Sequence, residues 1–194
     1  MGRPSLKKQR SAEILAAFER CVARYGVAGS TLERIAEEAG VKRTLLRHYI
    51  GNREELVFAL GAKIERRFIE QTDALFDALP EEGRVDALVT HLFHPSAQTS
   101  AQDIAIAQAL ITASETYPEL GERMRAWVLR FDAGLCKELA AEYPHASKAD
   151  VQAVSYGVLG IYFNVDSLAP LALPQRFGRA ARRAAQRLIQ TLEE

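Results

Sequence analysis

Residues Thr31 to Ile50 read TLERIAEEAGVKRTLLRHYI: two short helical periods with one glycine between them. In the first, Leu32, Ile35, Ala36 and Ala39 recur at three- and four-residue steps and share a face. Glu33, Arg34, Glu37 and Glu38 fall on the opposite side, toward water. Ser30 or Thr31 is placed to cap the free N–H groups, and Ser30 with Glu33 fits a capping box. Gly40 stands where a helix commonly ends in a left-handed conformation. Ala36 is small enough for two helices to cross tightly, and Val41 fills the corner.

In the second period each residue advances by about 100°. Arg43, Thr44, Arg47 and His48 then span roughly 140° of the surface, and Leu45, Leu46, Tyr49 and Ile50 take the other side. Leu46 and Ile50 are placed to pack back on the preceding helix. Tyr49 lies at the apolar edge, where its hydroxyl reaches outward. An apolar arc seated on a bracing helix, with a basic arc left free, is the pattern of a helix-turn-helix entering the DNA major groove. Arginine pairs bidentately with guanine and serves phosphates equally well, so both roles are open to Arg43 and Arg47. The plainer alternative is a solvated helical hairpin; the glycine, the arc and the basic flank together favour the groove reader.

The 194 residues carry no formal net charge, but the charge is unevenly divided. Residues 1–52 hold ten Lys/Arg against five Asp/Glu, a net of +5, and residues 53–194 hold 15 against 20, a net of −5. The positive charge therefore sits beside the two short helices, as phosphate neutralisation requires. Cys21 and Cys136 do not make a disulfide framework and read as small buried hydrophobes of a reducing compartment. The start, MGRPSLKKQR, is basic with no apolar run behind it, and no stretch approaches a membrane span. The expectation is a cytoplasmic protein, on the nucleoid when bound to DNA.

Strand signals are essentially absent, and the chain reads as all-α. Residues 1–10 form a basic arm with Arg3, Lys7, Lys8 and Arg10, suited to a phosphate or minor-groove contact or simply a tail. A helix from about Ser11 to Tyr25 presents Ile14, Leu15, Phe18, Val22 and Tyr25 on one side, and Gly26 and Gly29 end it. Three helices then form a module over residues 1–52. Asn52 looks like the cap of a long helix from Arg53 to Leu79, about 40 Å at 1.5 Å per residue and long enough to serve two domains. Glu54 and Glu55 suit its positive end. Further helices are predicted near Arg84–Phe93, Ser100–Ser114, Pro118–Glu142, Lys148–Leu168 and Pro174–Leu192. Residues 53–194 would form a second, helical domain.

The motifs resemble the TetR family of transcriptional regulators. The likeness runs from about Ile14 to Leu60: a first helix ending in YG, then T-L-x-x-IA-x-x-AGV, L-x-x-HY and NREEL. The resemblance implies an all-helical homodimer with a ligand-binding C-terminal domain, usually a repressor that a small molecule releases from a palindromic operator in double-stranded DNA. It implies DNA contacts at Thr31, Lys42, Arg43, Thr44, Arg47, His48, Tyr49 and Arg53. The chain departs from the family pattern where Lys42 stands for a common serine cap, Thr44 for glycine and Arg47 for tyrosine. Ile50 likewise stands for a common phenylalanine and Gly51 for proline.

In the penultimate helix Ala153, Gly157, Gly160 and Asn164 form a stripe of small residues, and helical glycine costs about 1 kcal/mol relative to alanine, so close helix approach is expected. Phe177, Ala181, Ala184 and Leu188 share a side of the last helix. Two copies of this helix pair could form a four-helix bundle between subunits, or the stripe could pack within one chain. An unidentified small-molecule effector has Phe93, Tyr117, Trp127, Phe131, Tyr162 and Phe163 as candidate walls, with His91, Asn164 and Asp166 as polar anchors. Asp166 stands out because a carboxylate in an apolar run needs a partner. His91 and His94 are spaced for a metal, but no third ligand or cysteine cluster accompanies them, and no cofactor is implied. Nucleophile elbows, phosphate loops, paired Cys–His motifs and H-E-x-x-H are absent, which argues against an enzyme.

Overall fold

A computed structural model describes residues 6–94 and 99–193, and every regular element among them is helical. In order these are α1 (Leu6–Gly29), α2 (Leu32–Glu38), α3 (Arg43–Tyr49), α4 (Arg53–Asp77), α5 (Arg84–Leu92), α6 (Ala101–Ala113), α7 (Pro118–Glu142), α8 (Lys148–Leu168) and α9 (Arg176–Gln190). A short 3-10 turn, Ala169–Leu171, follows α8. The all-α expectation holds throughout the described residues.

Two boundaries differ instructively from the sequence pattern. The expected arm is not separate from the first helix: α1 starts at Leu6, so Lys7, Lys8 and Arg10 lie on it, while Arg3 falls outside the described residues. Gln9 and Arg10 both bond the Glu13 carboxylate, at 3.1 and 2.7 Å, and such one-turn pairs favour helix. α1 breaks at Gly26 (φ 68°, ψ 174°), as its glycines suggest. At the other end of the fold α4 stops at Asp77, not Leu79. Arg84 takes the carbonyls of Phe76, Leu79 and Pro80 at 3.1–3.2 Å and pairs with the buried Glu138 of α7. The side chain thus supplies the donors that the end of a helix lacks.

The described residues pack as two compact units. One contains those up to Arg67 together with Gln102–Ala126; the other contains those of Phe68–Ala101 and Trp127–Glu194. In the first, Ile14, Phe18, Val22, Ile35 and Leu46 are at most 3% exposed, so α1, α2 and α3 each contribute to the core. In the second, α5, α7, α8 and α9 share a core that includes Leu88, Leu135, Leu139, Val158 and Ile189.

The first unit also holds a buried ionic knot that sequence pattern did not reveal. Glu19 on α1 accepts from Lys63 and Arg67 of α4, both at 2.5 Å, and Arg67 also pairs with Asp103 of α6. Burial alone would push the Glu19 carboxyl up, but the Lys63 and Arg67 hydrogen bonds outweigh it and hold it below its ordinary 4.5. A depressed carboxylate contributes stability that is present above the unfolded value and lost as pH falls through the folded one. Glu19→Gln should therefore cost about 1–3 kcal/mol near neutrality, toward the lower end because Lys63 is 39% exposed. The gap in urea stability between the two proteins should stay constant down to about pH 5 and close as the acid range is entered. A gap unchanged at low pH would show that the charge at this position contributes nothing.

Candidate nucleic-acid interface

The turn between α2 and α3 is set by local chemistry. Thr31 caps α2, its hydroxyl accepting from the Arg34 amide at 3.3 Å. Ser30, the other candidate, is fully buried and donates to the Gly26 carbonyl at 2.7 Å, so it closes the preceding turn and makes no capping box with Glu33. At the far end Gly40 (φ 63°) donates to Glu37 O at 3.0 Å and Val41 to Ala36 O at 2.9 Å. That paired arrangement is the Schellman ending, which needs a residue at ease with positive φ. Ala36 is 5% exposed at the crossing.

α3 has Lys42 at its N-cap, which offers no side-chain cap. Its end is tied to α1 by the Ser11 hydroxyl, which donates to the Tyr49 carbonyl at 3.0 Å. Gly51 follows with φ 100°, and a Cβ there would lie 1.8 Å from the Glu55 carboxylate. Proline, fixed near −65°, could not make this turn. Asn52 and Glu55 then form a reciprocal cap on α4: Glu55 N donates to Asn52 Oδ1 at 2.9 Å, and Asn52 N to Glu55 Oε2 at 2.7 Å. On the other side, Arg20 reaches from α1 to Glu38 of α2 at 2.5 Å.

The frame seats α3 by one residue above all. Leu46 is 3% exposed, Tyr49 and Ile50 are half-buried, and Leu45, expected on the apolar side, is 38% exposed at its margin. A seven-residue helix turns too few times to bury a wide arc. Lys42, Arg43, Thr44, Arg47 and His48 are all exposed. Arg43 forms a salt bridge with Glu33 at 2.5 Å, both side chains being mostly in water. His48 stands edge-on to the Tyr49 ring, 5.1 Å between centroids. Thr31 is exposed beside the α2 cap. Seven of the eight proposed DNA contacts therefore lie at the start of α2 or on α3 and its cap.

The eighth, Arg53, has another occupation. Its guanidinium donates to the carbonyls of Ser30 and Val27, both at 2.6 Å, and so locks the start of α4 to the turn after α1. Each terminal nitrogen thus makes one bond to the protein's own backbone, which gives Arg53 a part in the frame. Its spacing from α3 gave no hint of this, because the accepting carbonyls lie more than twenty residues earlier.

The candidate effector residues divide between the units. In the second, Phe93, Trp127, Phe131, Tyr162 and Phe163 meet ring to ring at centroid distances of 5.6–6.4 Å, extended by Phe68 and Phe76. Asp166 is 8% exposed at their edge. It accepts from Thr99, a partner that sequence reading missed, at 2.5 Å. Burial raises the Asp166 carboxyl against the pull of the Thr99 and Tyr162 hydrogen bonds. The Tyr162 phenol is pushed up to about 12 by burial and then by Asp166. Tyr117 is not part of this cluster: it packs edge-on to Phe58 in the first unit. His91 and Asn164 are exposed. No cluster of three or more His, Cys, Asp or Glu that could hold a metal occurs among the described residues.

The small-residue stripe also divides. A Cβ on Gly157 would lie 2.3 Å from Leu188 Cδ2, so these two serve the packing of α8 on α9 within the chain. Ala181 is half-buried, while Ala153, Gly160, Phe177 and Ala184 remain exposed. Among the described residues no helix is long and apolar enough to cross a membrane.

Known proteins share these features. Residues 14–60, which span the end-to-end length of the helix-turn-helix frame, match the family described as "Bacterial regulatory proteins, tetR family". The HTH-type transcriptional regulator BetI of Burkholderia mallei is 27% identical over 154 residues, covering 75% of each chain. The fold is similar to that of Salmonella enterica GusR, with a TM-score of 0.70 at 19% identity over 97% of this chain and 100% of that one. It is also similar to a TetR transcription regulator from Haloarcula marismortui, with a TM-score of 0.69 at 19% identity over 95% and 98%. The turn glycine, the buried Leu46 and the exposed basic arc all lie within the residues 14–60 that match this family of bacterial regulators.

Proposed function

We propose that this protein is a ligand-responsive repressor that binds a palindromic operator as a homodimer. The observation that carries the DNA part is the exposure of Lys42, Arg43, Thr44, Arg47 and His48 on a helix whose opposite side is seated through Leu46. Residues 1–52 act as the DNA-binding domain, and residues 53–194 serve effector binding and dimerisation. The dimer reading draws on the exposed part of the α8–α9 pair, where Tyr156 (79% exposed) and Phe177 (50%) flank Ala153, Gly160 and Ala184. Large apolar side chains grouped with small ones are suited to burial against a second copy. The two reading helices would then stand about 34–36 Å apart, or a multiple of it, matching one turn of duplex. The ligand acts on the second unit and biases α4, the helix that begins at the Asn52 cap. In this reading the chain is no enzyme, and it works in the cytoplasm on the nucleoid.

Mapping the genomic fragment that the purified chain protects tests the proposal. The protected site should be a pseudo-palindrome, and log K should fall linearly with log salt by about 0.9 for each phosphate neutralised. Binding without salt dependence, or with no preference among duplexes, would remove the basis for a regulator that reads α3 against DNA.

A further inference from the structure

The second unit places the buried Asp166 carboxylate at the Tyr162 end of a cluster of rings, and no described residue serves it as counter-ion. Asp166 lies one helical turn beyond Tyr162 on α8, so both project from the same face. Tyr162 touches Phe93, Phe131 and Phe163 at centroid distances of 6.4, 5.8 and 5.6 Å, and Trp127 meets Phe163 at 5.7 Å. Phe93, Trp127, Tyr162 and Phe163 are only partly buried, so the rings are an open-edged cluster and not a closed core. Thr99 donates to Asp166 Oδ2, the Thr99 and Tyr162 hydroxyls lie 3.1 Å apart, and the Tyr162 hydroxyl also bonds the Asp166 carboxyl. Donors are thus aimed at the carboxylate, yet no cationic side chain among the described residues meets it.

Packing alone does not call for this charge. Asparagine would satisfy the same hydroxyls, and leucine would extend the apolar surface, whereas a buried carboxylate without a cationic partner is costly. Ring faces carry negative potential and attract cations within about 6 Å of the centroid. A carboxylate set against the Tyr162 end of an aromatic cluster therefore favours one ligand class over all others: positive charge carried on an apolar body. We propose that the Asp166–Tyr162 end of this cluster is the effector site and that it takes an organic cation, an alkyl- or arylammonium compound, with Asp166 as counter-ion and the rings of Phe93, Tyr162 and Phe163 as walls. This rests on the reading of the second unit as effector-binding. It gives Asp166 a role different from that of His91 and Asn164, which face water, and it excludes carboxylate ligands, which Asp166 would repel.

The chain has one tryptophan, Trp127, and it lies in the cluster, so its fluorescence reports occupancy without DNA. The full chain is titrated at constant ionic strength with benzyltrimethylammonium, neutral benzyl alcohol and anionic phenylacetate. The cation should give a saturable change with a Kd at least about tenfold below that of benzyl alcohol, and phenylacetate should bind more weakly than either. Asp166→Asn should abolish the preference for the cation while benzyl alcohol binds as before. Should that variant fail to fold by circular dichroism, Phe93→Leu keeps apolar volume and should shrink the preference several-fold. Equal binding of the neutral or anionic compound overturns the proposal. So does the lack of a saturable response to the cation up to about 10 mM. A folded Asp166→Asn or Phe93→Leu variant that retains the full preference does the same. A chain that protects its operator but ignores the cation loses this inference alone; one that binds the cation yet protects no DNA loses the regulator reading alone.

Discussion

Arg47→Ala should weaken specific operator binding by about 1–3 kcal/mol for each half-site in which the guanidinium reads a base edge. Arg47 projects from the middle of the exposed arc of α3 and pairs with no described residue, so its five donors are free to meet DNA without breaking a bond first. If it serves a phosphate, the loss is spread evenly over all sequences and the salt slope drops by about 1. Arg43→Ala should cost less. Its guanidinium is already engaged with Glu33 at 2.5 Å, and releasing that exposed pair uses up a few tenths of a kcal/mol of whatever DNA returns. Competition assays on operator and scrambled duplex at two salt concentrations separate these outcomes. Unchanged affinity in both variants would rule out α3 as the reader.

Phe18→Ala is the change expected to cost the fold most, about 3–5 kcal/mol by urea unfolding followed by far-UV circular dichroism. Phe18 is 0% exposed, among the largest side chains buried completely, and it sits on α1 between Ile14 and Val22 at one-turn spacing. α2 and α3 have seven residues each and cannot hold their own shape. They depend on the apolar face of α1, so a cavity there removes the platform under Ile35 and Leu46 as well. Against a typical total of 5–15 kcal/mol, such a loss leaves the reading helix poorly seated, and operator affinity should fall although no DNA-facing group has changed. A loss below about 1 kcal/mol would mean that α1 does not brace the other two helices.

Much of this was legible before any coordinates. The 3.6-residue period placed the helices, because burying one side of a helix leaves its imprint on consecutive residues. Gly40 declared the turn, since few other residues accept its backbone conformation, and the basic arc declared which side of α3 stays free. Local chemistry also announced Asn52 as the cap of α4. Where the pattern misled, a contact distant in sequence had intervened. Arg53 was drawn to Val27 and Ser30, Tyr117 to Phe58, and Gly157 to Leu188.

What amino-acid order determined by itself, then, was the set of helices and the polarity of the helix-turn-helix, properties that periodicity and backbone preference write into neighbouring residues. Only tertiary packing decided which charged and aromatic side chains spend themselves inside the molecule. Arg53 and Glu19 are held by partners 23 to 48 residues away, and Asp166 by one 67 away. Hydrogen bonds and ion pairs of that kind depend on separation in space, which a linear pattern does not record.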